Sequence, residues 1–303
     1  MRYSDLLLGV LLMAMWGFNF IVIQMGAEDL DPLLLVALRF SLAAFPAVLF
    51  VSRPTVSWKY VLAYSLTFGC GVWGMATWAI SSGLSAGMAS LLLQVNVAIS
   101  LLFGWVFLKE KIIPQKALGA LLALGGLLLS LMVEDGTVPL ISIALILIAA
   151  TSWSISGLIV KASGTQQVFS FIVWGLFFAP LPLFAATYIQ NGVAVFYEIQ
   201  NNLSGKLIFS ILFQAYPTTL LGYWFWNRLI VKYPLSTVAP LGLLCPVFGL
   251  FFSWLLTGES IGSEKLMAAI MIFSGLALGI VHFRQSFKML RNSRIFGILN
   301  ISR

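Results

Sequence analysis

The run LLLGVLLMAMWGFNFIVI, residues 6–23, contains no charged side chain. A helix that crosses a membrane needs ~20 consecutive and mostly apolar residues, and this run is close to that length. It is too long for the apolar core of a secretory signal peptide, and it carries Trp16 and Asn19 near its centre. The run therefore predicts a first membrane helix that is retained.

Similar apolar runs recur along nearly the whole chain and decide its class. Of the 303 residues, 60% are hydrophobic and only 9% are charged, whereas an ordinary soluble domain has about 25% charged residues. So few charges cannot cover a surface in water. The breaks between runs predict an all-α integral membrane protein with ten transmembrane helices, over 6–24, 33–52, 59–81, 86–108, 116–133, 139–161, 168–189, 206–231, 235–256 and 264–283.

The basic residues that give the net charge of +7 lie in the short gaps between these runs and in a tail. They do not share one face, so the sequence argues against a nucleic-acid-binding surface. With the N-terminus in the cytoplasm, fourteen Lys and Arg residues lie inside and only Lys206 and Lys265 lie outside. By the positive-inside rule, both termini are predicted to be cytoplasmic, in a bacterial inner membrane, with 284–303 as a basic cytoplasmic tail.

The two halves of the chain show an internal repeat. A shift of 149 residues places Glu110 on Glu259, Lys116 on Lys265 and Gly126 on Gly275, and a shift of 137 places Trp16 on Trp153. Five predicted helices separate the copies, and an odd number gives the halves opposite orientations. The sequence thus predicts two inverted-topology five-helix repeats, 1–135 and 136–283.

Several segments resemble the EamA-type family of the drug/metabolite transporter superfamily. These are Trp16-Gly-Phe-Asn-Phe20, Ala37-Leu-Arg-Phe40 with Phe45-Pro46, Ala89-Ser-Leu-Leu-Leu-Gln94, Gly222-Tyr223 with Trp226, Val238-Ala-Pro-Leu241 with Pro246, and the pair Glu110 and Glu259. The resemblance covers about 6–283 and is greatest to bacterial exporters of cysteine and O-acetylserine. It implies ten helices in two inverted halves, in agreement with the count from hydropathy.

Arg39 lies inside the predicted second helix. A guanidinium in lipid costs ~2.5–3.5 kcal/mol on insertion scales, so it is expected to face a cavity or a partner. There it could bind the carboxylate of a solute through two hydrogen bonds. Two alternatives stay open, namely a structural bond to backbone carbonyls and extension of the side chain towards the outer headgroups.

Asn19 and Gln94 are predicted to lie near the membrane midplane, where a transporter must replace the water around a polar solute. Asn96 is two residues from Gln94, so the two point to different helix faces, and Asn96 is assigned a structural role. The alternative for all three is hydrogen bonding between helices.

Aromatic residues and prolines complete the candidate set. Trp16, Trp153, Tyr223 and Trp226 are predicted to contribute to the binding site, although packing between the repeats explains Trp16 and Trp153 equally well. The candidate gating residues are Trp73, Trp78 and Pro240.

The residue inventory argues against an enzyme, a bound metal and a cofactor. The chain has one histidine, no Cys/His/carboxylate cluster with ligand spacing and no phosphate-binding Gly-Lys-Ser/Thr motif. Every Asp and Glu lies at or beyond the end of a predicted helix, and Glu110 and Glu259 are expected to cap the helices that follow them. Proton antiport through a central carboxylate is therefore not expected.

The predicted function is secondary transport, as an exporter of small polar metabolites such as amino acids or their derivatives, by alternating access around a midplane cavity. The expected partners are that solute and membrane lipid. The alternatives are export of drugs or nucleotide sugars, a passive channel or receptor, and a membrane-embedded enzyme acting on lipid, for which no convincing interfacial catalytic set is present.

Overall fold

The computed structural model describes residues 1–109, 114–130, 132, 138–233 and 238–280. All regular secondary structure in these ranges is helical, as the sequence predicts. The predicted tail, 284–303, and Glu110 lie outside the described residues.

The first half contains five helical elements. α1 is Tyr3–Ala27 and α2 is Pro32–Val48. α3 covers 58–81 as Trp58–Tyr64, a π-helical segment Ser65–Gly74, and Met75–Ser81. α4 covers 86–108 as Ala86–Leu92, a 3₁₀ segment Leu93–Val95, and Asn96–Leu108, and α5 is Pro114–Ser130.

The described residues of the second half form six elements. α6 is Leu140–Ser163, and α7 consists of Val168–Phe178 and Pro180–Asn191. α8, Ala194–Asn201, is a short helix that the hydropathy pattern does not predict. α9 covers 205–232 as Gly205–Phe213, a π-helical segment Gln214–Leu221, and Gly222–Lys232. α10 consists of a 3₁₀ segment Ala239–Leu243 and Leu244–Thr257, and α11 is Ser263–Ile280.

Length and hydropathy identify the helices that can cross a membrane. Among the described residues, four qualify individually: Tyr3–Ala27, Ala86–Phe107, Leu140–Ser163 and Val168–Asn191. Three further apolar helices are shorter: Pro32–Val48, Pro114–Ser130 and Leu241–Thr257. Large apolar side chains such as Phe50, Leu128 and Ile189 are exposed on the outside of the bundle, as expected where lipid is the solvent. The chain is a multi-pass helical membrane protein, and the count of ten crossings stays a prediction.

The irregular segments lie at matching places in the two halves. The π-helical segments of α3 and α9 begin at Ser65 and Gln214, which are 149 residues apart, the shift found in the sequence repeat. Pro217 lies inside the second segment and lacks the N–H that a regular helix uses. Within a membrane, non-α backbone is tolerated where protein or a cavity satisfies the freed polar groups. A cavity is therefore expected beside these segments.

Glycines allow close backbone contact between the halves. A Cβ on Gly17 of α1 would lie 2.7 Å from the carbonyl oxygen of Cys245 in α10, and a Cβ on Gly126 of α5 would lie 2.8 Å from the carbonyl oxygen of Ala268 in α11. Helices in lipid associate largely through van der Waals packing, which small residues at the interface improve. These two contacts hold α1 against α10 and α5 against α11.

Candidate functional site

A cavity of about 70 Å³ lies between α1, α2, α3, α4, α6, α9 and α10. One water molecule needs roughly 10–15 Å³ measured in this way, so the space holds several waters or a small solute. It is lined by Trp16, Asn19, Phe20, Arg39, Trp73, Ser90, Leu93, Gln94, Trp153, Thr218, Tyr223 and Cys245. The cavity adjoins three irregular segments, because Trp73, Leu93 and Thr218 belong to the π- and 3₁₀-helical parts of α3, α4 and α9.

Among the described residues of this lining, Arg39 alone has a charged side chain, and it is 2% exposed. Its Nε and Nη2 donate hydrogen bonds to Oγ1 of Thr219, at 3.2 and 3.1 Å. The Thr219 hydroxyl in turn donates to the backbone carbonyl of Gln214, at 2.7 Å, in the π-helical segment of α9. The α9 segment therefore fixes the position of the guanidinium.

The charge of Arg39 is not neutralised within the described part of the chain. There, no carboxylate lies within ion-pairing distance of it, and its Nη1 has no hydrogen-bond partner. The guanidinium carbon lies 4.3 Å from the centroid of the Trp73 ring, which supplies a weaker cation–π attraction. A buried donor nitrogen without a partner and an uncompensated positive charge thus belong to the wall of the cavity.

Asn19 and Gln94 supply neutral polar groups to the same cavity. Asn19 is 2% exposed, and its Oδ1 has no hydrogen-bond partner among the described residues. Asn96 differs, because its side-chain nitrogen donates to the carbonyl of Leu93 at 2.8 Å and it does not line the cavity. Gln94 thus lines the cavity and Asn96 does not, and the predicted difference in function between them stays a prediction.

The aromatic candidates form two groups beside the cavity. Trp16 packs against Tyr223 and Trp226, with ring centroids 5.8 and 5.6 Å apart, and its Nε1 donates to the carbonyl of Thr218 at 3.0 Å. Trp153 packs against Trp73, with centroids 6.2 Å apart. Trp226 does not line the cavity, but its ring contacts that of Trp16, which does.

The three candidate gating residues have different positions. Trp73 lines the cavity, whereas Trp78 is half-buried elsewhere on α3 and does not line it. Pro240 lies in the 3₁₀ segment at the start of α10.

Glu259 forms a buried polar cluster with Ser85, Ser253 and Lys265, named here the Glu259 cluster. Oε1 accepts from the Ser85 hydroxyl at 2.6 Å and from Lys265 Nζ at 3.0 Å, and Oε2 accepts from the Ser253 hydroxyl at 2.5 Å. The side chains of Lys265 and Glu259 are 1% and 3% exposed. The expectation that Glu259 caps the next helix needs correction, since these contacts go to side chains of α10, α11 and the residue preceding α4.

Sequence reasoning did not select Phe20, Ser90, Leu93, Thr218 or Cys245, which complete the lining. Small or apolar residues of these types are common throughout membrane helices, so their identity carries little information about position. The described residues contain no group of three or more His, Cys, Asp or Glu side chains placed to hold a metal ion.

Comparison with known proteins identifies the family. The model of the EamA-like transporter family matches residues 4–132 and 140–281. The chain belongs to the EamA-like transporter family. This protein is therefore a membrane-embedded transporter of a small solute and not an enzyme.

Two relatives of this EamA-like transporter carry the same description, "Probable amino-acid metabolite efflux pump". The protein of Escherichia coli (strain K12) is 32% identical over 292 residues, covering 94% of this chain and 97% of the relative. That of Salmonella typhimurium (strain LT2) is 33% identical over 303 residues, covering 98% and 100%. A solved crystal structure matches with a TM-score of 0.61 at 18% identity, covering 92% of this chain and 96% of its own, and this likeness concerns the fold.

Proposed function

We propose that this EamA-like transporter exports small polar metabolites that carry a carboxylate, such as amino acids or their derivatives, across the bacterial inner membrane. The observation that carries the proposal is Arg39, a buried cation in the cavity wall without a carboxylate partner among the described residues. A solute carboxylate would neutralise this charge and accept from Nη1. The description of the two relatives as amino-acid metabolite efflux pumps supports the same solute class.

The rest of the cavity favours small zwitterions over the alternative solutes. Asn19 and Gln94 offer hydrogen-bonding groups, and the tryptophans offer apolar and aromatic surface. A drug-like cation would meet the like charge of Arg39 and no carboxylate in the lining.

For the transport cycle, we propose alternating access between two inverted repeats, 1–135 and 136–283, with ten crossings and both termini in the cytoplasm. The matching π-helical segments, whose first residues are 149 apart, support the repeat. The fourteen-to-two distribution of Lys and Arg supports the orientation. Facilitated diffusion or solute exchange is preferred to proton antiport, because no carboxylate lines the cavity in the described part of the chain.

Counterflow in proteoliposomes tests the solute class. Three test solutes are compared: an amino acid, its amide, which lacks the carboxylate, and the amine that remains after decarboxylation. The wild type is expected to prefer the amino acid. Arg39→Gln should reduce counterflow of the amino acid about 10- to 100-fold, the effect of losing a charge-assisted hydrogen bond, and change that of the amide much less.

Two controls make the counterflow result interpretable. Arg39→Lys keeps the positive charge but lacks the planar guanidinium, so it should retain part of the preference for the amino acid over its amide. The amount of folded protein is matched by size-exclusion chromatography. Equal loss for the amino acid and its amide, at equal folded protein, would show that Arg39 has a structural role only. Accumulation that requires an imposed proton gradient would overturn the proposed mode of transport.

A further inference from the structure

A second concave surface, named here the α1–α9 groove, lies apart from the cavity. It has a volume of about 530 Å³ and is formed by the N-terminal part of α1, the start of α7 and the last turns of α9. Its apolar lining consists of Leu8, Phe169 and Leu229. None of the residues that line this groove contributes to the solute cavity.

The groove contains more basic than acidic residues. Lys232 and Arg228 face a single acid, Asp5. Asp5 is already engaged, because Lys232 Nζ lies 2.7 Å from its Oδ2 and the hydroxyl of Tyr233 donates to the same oxygen at 2.5 Å. In the described part of the chain, no carboxylate pairs with Arg228. The groove therefore has an excess positive charge located on Arg228.

Arg228 is exposed and held against an aromatic ring. Its guanidinium carbon lies 4.8 Å from the centroid of the Trp224 ring, which also lines the groove and is 42% exposed. Tryptophan is enriched where a membrane helix meets the headgroup region, because its ring is amphipathic. An exposed guanidinium can bind a phosphate with two parallel hydrogen bonds, and Arg228 is exposed.

We infer that the α1–α9 groove binds one anionic phospholipid, with its phosphate on Arg228 and its glycerol and first acyl carbons on Leu8, Phe169 and Leu229. A free phosphate would use Arg228 but leave the apolar lining uncovered. A zwitterionic phospholipid would bring its own cation towards Arg228 and Lys232. Only an anionic phospholipid matches both the charge and the apolar surface of this groove.

The test measures lipid binding to the purified, delipidated full chain by native mass spectrometry. Binding of phosphatidylglycerol is compared with binding of phosphatidylcholine. In a separate experiment, the thermal unfolding temperature is measured with and without inorganic phosphate. The wild type should bind phosphatidylglycerol in preference, and Arg228→Gln should weaken that binding by about tenfold, the effect of a lost charge-assisted hydrogen bond. Because Arg228 is exposed, the variant is expected to fold normally.

The matched control is Lys59→Gln. Lys59 also stacks on an aromatic ring, with Nζ 5.1 Å from the centroid of Tyr60, but does not line the groove. This variant should bind phosphatidylglycerol as the wild type does. The inference is overturned if Arg228→Gln and Lys59→Gln behave alike, if phosphatidylcholine binds as well as phosphatidylglycerol, or if inorganic phosphate alone gives the full stabilisation.

Discussion

At the scale of single residues, the polar groups inside the membrane are the informative ones. Arg39, Asn19 and Gln94 could be selected from the sequence because a polar side chain in lipid needs a partner or a cavity. The structure brings all three to one cavity. The partner of Arg39, Thr219, could not be selected, since its hydroxyl is bound to the backbone within α9 and threonines of that kind are frequent in membrane helices.

Gln94 and Asn96 give a prediction at this scale. Gln94→Ala is expected to reduce solute counterflow about 5- to 100-fold, because one hydrogen bond to a polar solute is lost in a low-dielectric site. Asn96→Ala should reduce it less, since the Asn96 side chain bonds to the carbonyl of Leu93. Both variants are compared at equal amounts of folded protein. A greater loss in Asn96→Ala would contradict the assignment of Gln94 to the binding site.

At the scale of helical elements, hydropathy located the apolar helices but not their internal irregularities. Within the described residues, each predicted span overlaps a helical element, because the length of an apolar run follows from the thickness of the membrane. The π-helical segment of α3 has no comparable signal, since hydropathy does not report which carbonyl each N–H binds. Pro217 indicates an irregularity in α9, because proline lacks the N–H that a regular helix uses. The helix α8 is too short to be recognised from the length of an apolar run.

The contact between α1 and α10 gives a prediction for stability. Gly17→Ala should lower the free energy of unfolding by about 1–3 kcal/mol, because its Cβ would lie 2.7 Å from backbone atoms of Cys245 and Gly249. The control is Gly157→Ala in α6, where an added Cβ meets no atom within 4 Å. That change should be neutral or stabilising, since alanine is the better helix former. Thermal unfolding in detergent measures both, and equal shifts would contradict the packing argument.

At the scale of the whole molecule, the Glu259 cluster joins the two halves. Ser85 belongs to the first half, and the other three members belong to the second. A buried ion pair adds little net stability over apolar residues of similar size, so its presence suggests another role. Under the proposed orientation, the cluster lies towards the outer face, where it would keep that side of the cavity closed.

Thiol labelling tests this closure. In a Cys70→Ser background, Cys245 in the cavity lining is the remaining cysteine of the chain. The double variant Glu259→Gln/Lys265→Met, which removes both charges of this pair together, should increase labelling of Cys245 by a membrane-impermeant reagent added outside. Glu28→Gln is the control, because it removes an exposed ion pair with Lys206 that also joins the halves. Labelling that stays at the control level would contradict a closing role for the cluster.

The stacking of Arg39 on Trp73 has an optical consequence. Indole emission shifts with the electric field across the ring, and a guanidinium 4.3 Å from the centroid contributes strongly to that field. An anion that enters the cavity and draws the guanidinium towards itself would therefore change the fluorescence of Trp73. Under the proposed function, Trp73 would act as an intrinsic probe of occupancy, and fluorescence titration of the unlabelled protein would measure solute affinity without a transport assay.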